Sequence, residues 1–80
     1  MKPHEALNQI LKDLSLSFGD GLAARIVMKA RSDAQAPIIG LDEVQYTEIV
    51  RVLCRDLRVI GMLGELTVGE KQSQWEKLVS

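Results

Sequence analysis

The 80-residue sequence has one cysteine, Cys54, and one histidine, His4. A single thiol excludes an intramolecular disulfide, and it fits a reducing, cytoplasmic setting. Soft metal ligands are equally scarce. His4 and Cys54 lie 50 residues apart, whereas a zinc site takes three or four spaced ligands. With only one histidine, no nucleophile–His–acid set can be assembled. The chain therefore reads as a non-enzyme with no metal and no cofactor.

Other absences narrow the class further. Net charge is −1, from ten basic and eleven acidic residues, so no global positive field draws in nucleic acid. No apolar run approaches the roughly 20 residues of a membrane span. The first residues, Met1 to Glu5, lack the apolar stretch of a secretory leader. The aromatics are Phe18, Tyr46 and Trp75 alone. The core must then be built from Leu, Ile, Val, Met and Ala, a mix that suits packed helices better than a β-sandwich.

What is present is helical periodicity over one domain, residues 1–80. Leu7, Ile10, Leu11, Leu14 and Phe18 make an apolar stripe on a first helix from about Pro3 to Ser17. Pro3 suits a first turn, and Gly19 is a natural stop. Asp20 reads as the N-cap of a second helix, about Gly21 to Asp33. Pro37 bounds the main connection, and Ile38 and Ile39 are expected to plug one end of the core. Asp42 with Gln45 resembles a capping box at the head of one long helix, about 42–63, that stops at Gly64. Thr67 with Glu70 reads as the capping box of a fourth helix. The expected fold is all-α: a small four-helix bundle with one long central helix, pairing through that helix into a dimer.

At about 100° per residue the long helix divides into three faces. Tyr46, Ile49, Val50, Leu53, Leu57 and Ile60 form the core face. Glu48, Arg51, Arg55 and Arg58 gather opposite. Val52, Val59 and Leu63 form an apolar flank beside the core, which widens the apolar arc to roughly 220°, against about 100° for an ordinary surface helix. Asp56 falls between flank and core, where a carboxylate wants a cationic partner; Arg25 or Lys29 could supply it. The flank implies a partner. Val52, Asp56, Val59, Leu63 and Trp75 are the candidate contact residues of a small protein-interaction (adaptor or assembly) module, with a second copy or another protein as partner. The alternative is a small nucleic-acid-binding transcriptional regulator that places Arg51, Arg55 and Arg58, at i, i+4, i+7, against phosphates.

Overall fold

The computed structural model describes residues 1–37 and 40–79. Five helices and no strand occur among the described residues: α1 Pro3–Phe18, α2 Asp20–Asp33, α3 Glu43–Arg55, α4 Leu57–Leu63 and α5 Glu65–Lys77. The radius of gyration is 11.3 Å, close to the ~11.6 Å expected of a compact chain this long. The expectation for Ile38 and Ile39 lies outside the described residues.

Three of the four joints between helices are a single residue. At Gly19 the backbone N–H donates to the Ser15 carbonyl at 2.9 Å, which closes α1. The Gly19 carbonyl accepts from Ala23 N–H at 3.0 Å, which opens α2. Gly64 repeats the arrangement, with N–H to the Ile60 carbonyl at 2.8 Å and its own carbonyl accepting from Val68 N–H at 2.9 Å. Both glycines hold positive φ, 80° and 86°, a region that residues with a Cβ enter only at a penalty. One residue thus ends a helix and starts the next. This corrects two expected caps. Asp20 is the first residue of α2, not its cap. Thr67 and Glu70 lie inside α5, which begins two residues earlier at Glu65. Asp20 and Glu65 instead place a carboxylate in the first turn, where the helix dipole favours it.

The third joint is Asp56, and it overturns the expected long helix. Asp56 leaves the helical region at φ −66°, ψ 124°. Its carboxylate oxygen Oδ1 accepts from Arg58 N–H at 2.8 Å, so it caps α4 from the front. Aspartate competes for backbone donors in this way, which disfavours it in helix interiors and favours it at caps. The 42–63 segment is therefore two helices with different phases, and the described residues form five helices where four were expected.

The core follows from the stripes. Ala6, Leu7, Ile10 and Leu14 of α1 pack with Ala23, Ile26, Val27 and Ala30 of α2 and with Tyr46, Ile49, Val50 and Leu53 of α3. Val59, Val68, Trp75 and Val79 close the other side. The Asp42–Gln45 capping box forms as expected: Gln45 N–H to Asp42 Oδ1 at 2.7 Å, and Asp42 N–H to Gln45 Oε1 at 3.0 Å.

Candidate interaction surface

The break at Asp56 redistributes the residues that a continuous helix would have placed on the flank. Val59 is fully buried and Trp75 is buried, so both are covered by the chain's own core and neither offers surface to a partner. Leu63 is half-buried against the core. Val52 is also half-buried, lining an open hollow with Lys29, Ala30, Asp33, Arg55 and Asp56. The flank is not an uncovered strip: α4 turns Val59 inward, and Val52 and Leu63 are partly buried against the core.

The Asp56 carboxylate is held by Arg58. Beyond its cap bond, it accepts from Arg58 Nε at 3.1 Å and from Arg58 Nη2 at 2.8 Å. These bonds hold its carboxyl below the usual aspartate range, against a smaller opposing effect of desolvation. The expected partners on α2 are not used. Lys29 pairs instead with Asp33, at 2.8 Å on its own helix.

The arginines do not form one stripe. Arg58 lies beyond the break and is forked onto Asp56. Arg51 reaches Glu48 at 3.7 Å, an exposed i, i+3 pair. Arg55 is exposed, and no ion pair joins it among the described residues.

Surface apolar residues appear where the sequence spacing did not place them. Leu57, expected in the core, is 83% exposed. Leu16 at the end of α1 is 88% exposed, Leu66 near the start of α5 is 80% and Met62 is 54%. Met62 and Leu66 flank the Gly64 joint, and Leu57 lies five residues before Met62, an axial rise of about 7.5 Å. Gly61, exposed in mid-helix, has no atom within 4 Å of where a Cβ would stand. The sequence signal for the exposure of Leu57 was Asp56 itself, an aspartate on the apolar edge of a presumed helix.

Beneath this surface runs a polar chain linking α1, α3 and α5. Tyr46 Oη donates to the Trp75 carbonyl at 2.6 Å. Trp75 Nε1 donates to Asp13 Oδ2 at 3.1 Å, and Lys71 Nζ reaches the same oxygen at 3.0 Å. Burial, with Glu76 nearby, raises the Tyr46 hydroxyl to about 12 and the Cys54 thiol to about 11. Both are neutral at physiological pH and serve as packing groups.

No family model, curated protein or solved structure matches this chain. Among the described residues, no three His, Cys, Asp or Glu side chains group so as to hold a metal ion, and no helix is long and apolar enough to cross a membrane.

Proposed function

We propose that the chain is a small, non-catalytic protein-interaction module of the cytoplasm, acting through the exposed leucines Leu16, Leu57 and Leu66 with Met62. The observation that supports this is the exposure of these side chains beside a core that is already complete without them. Scattered apolar residues are ordinary on a surface. Here Leu57, Met62 and Leu66 are all exposed within ten residues of chain, on the two helices that meet at Gly64. The contact set therefore shifts outward from the residues the spacing suggested: Val59 and Trp75 leave it, and Leu63 and Val52 stay only as partly covered edges.

The regulator reading is weaker on this geometry. Phosphate contacts favour unpaired cations, and of Arg51, Arg55 and Arg58 only Arg55 is in no ion pair among the described residues. Binding to mixed-sequence DNA at low salt is expected to be absent.

The module reading is tested by size-exclusion chromatography of an extract from the native host. The chain should elute in an assembly larger than itself, and a Leu16→Glu/Leu57→Glu/Leu66→Glu variant, altered only at exposed positions, should elute as a folded single chain. A wild-type chain that elutes alone would remove the reading.

A further inference from the structure

α5 is anchored differently from α3, a helix of the same length. Of its 13 residues α5 buries Val68 and Trp75, whereas α3 buries Tyr46, Ile49, Val50, Leu53 and Cys54. One more apolar contact, Val79, lies past the end of α5. Gly69 stands exposed in mid-helix with nothing within 4 Å of where a Cβ would be. It weakens α5 by its backbone freedom, and no close approach requires it. Few buried apolar contacts are the mark of a segment that opens before the rest of a fold.

Three polar ties converge on a single turn of this helix. Lys71 Nζ and Trp75 Nε1 both reach Asp13 Oδ2 on α1, at 3.0 and 3.1 Å. The Trp75 carbonyl takes the Tyr46 hydroxyl of α3 at 2.6 Å. When that turn lifts, the buried indole and all three bonds are lost together. The helices α1, α2 and α3 keep a shared core of their own, from Ala6 through Ala30 to Leu53. The end of α4 also survives, because Gly64 N–H bonds back to the Ile60 carbonyl. A released segment of 13 residues is too short to stay helical by itself. We infer that α5 is a releasable strap: latched to Asp13 and Tyr46 through the Lys71–Trp75 turn, it uncoils from Gly64 onward while α1, α2 and α3 stay folded, and so bares the Tyr46 side of α3.

Native-state hydrogen exchange of the whole chain, resolved helix by helix, tests this. In the wild type the mid-helix amides of α5 should be at least about tenfold less protected than those of α1, α2 and α3. Asp13→Ala removes the acceptor shared by Lys71 and Trp75 and should lower α5 protection about tenfold further. Gly69→Ala should raise it about four- to fivefold, the advantage of alanine over glycine in a helix that uncoils. Met28→Gly, at an exposed position of α2, weakens a helix that stays folded in the open form. It should lower protection in α1, α2 and α3 and leave α5 unchanged. Equal protection in all four helices, or a loss in α5 that matches the loss in α2 of Met28→Gly, overturns the inference. So does an unaltered α5 in both Asp13→Ala and Gly69→Ala. Should Asp13→Ala fail to fold, the wild type, Gly69→Ala and Met28→Gly decide the matter without it.

Discussion

Tyr46 and Trp75 are joined by a 2.6 Å hydrogen bond from the tyrosine hydroxyl to the tryptophan carbonyl, buried between α3 and α5. The same carbonyl also accepts from Leu78 N–H at 3.2 Å, so it keeps a partner when the hydroxyl is removed. Tyr46→Phe should therefore cost about 0.5–1.5 kcal/mol, the ordinary net worth of such a bond. Urea unfolding measures it.

Alkaline pH acts on the same contact. The hydroxyl is raised from 10.0 to about 12 in the fold and the Cys54 thiol from 9.0 to about 11. A raised acid binds its proton more tightly folded than unfolded, so its contribution is complete below the unfolded value and lost as pH climbs to the folded one. Stability should decline from about pH 9, most steeply between about pH 10 and 11 where the two windows overlap, and level off beyond about pH 12. Tyr46→Phe should flatten the upper part of that decline, read by circular dichroism in denaturant at each pH. An unaltered slope would contradict the assignment.

Cys54 should react slowly. Its thiol is buried and shifted up to about 11, so little thiolate exists near pH 8, and the thiolate is the nucleophile. Ellman's reagent should label the native chain far more slowly than the urea-unfolded chain at the same pH. Equal rates would mean that the α3–α5 contact opens readily.

Asp56 joins two helices and should be sensitive in two ways. Asp56→Ala removes the cap of α4 and the fork to Arg58, with an expected loss of about 1–2 kcal/mol. Asp56→Asn keeps a capping oxygen and should lose less. Because the carboxyl is held below its ordinary value of 3.8, its contribution is present above that pH and disappears as pH falls through the lower folded value. In an acid titration of stability, the gap between wild type and Asp56→Asn should stay constant above about pH 4 and narrow only below it.

Gln35 offers a gain rather than a loss. It takes φ 55° at the end of α2, where Ala36 N–H donates to the Arg31 carbonyl and Gln35 N–H to the Ser32 carbonyl, each at 3.0 Å. This is the Schellman closure, which favours glycine at the left-handed position. Gln35→Gly should raise stability by about 0.5–1 kcal/mol, less the greater freedom of glycine in the unfolded chain. Thermal melting checks it.

The sequence was a good guide within helices and a poor one at their ends. The Leu7–Ile10–Leu14 stripe, the Asp42–Gln45 box and the Tyr46-to-Leu53 face all rest on spacing, and spacing is conserved along an unbroken helix. Leu57 and Val59 exchanged places because Asp56, just ahead of both, left the helix. Whether an aspartate continues a helix or caps a new one turns on about 1 kcal/mol, which periodicity does not carry. The expected caps at Asp20 and Thr67 failed for a related reason: a positive-φ glycine can serve both neighbouring helices, so no separate cap is needed. The candidate surface inherited these errors. Leu57 becomes visible as an outward leucine only once the break at Asp56 is placed.

The one-residue joints have a practical consequence. Gly19, Asp56 and Gly64 leave no slack, and a residue added at any of them would swing the following helix by about 100° and carry its buried stripe out of register. Among the described helices, α2 and α3 are the one consecutive pair set more than one residue apart. A fused reporter, an affinity tag or new chain ends made by circular permutation belong there, and a length scan across the four joints should find tolerance at that one alone.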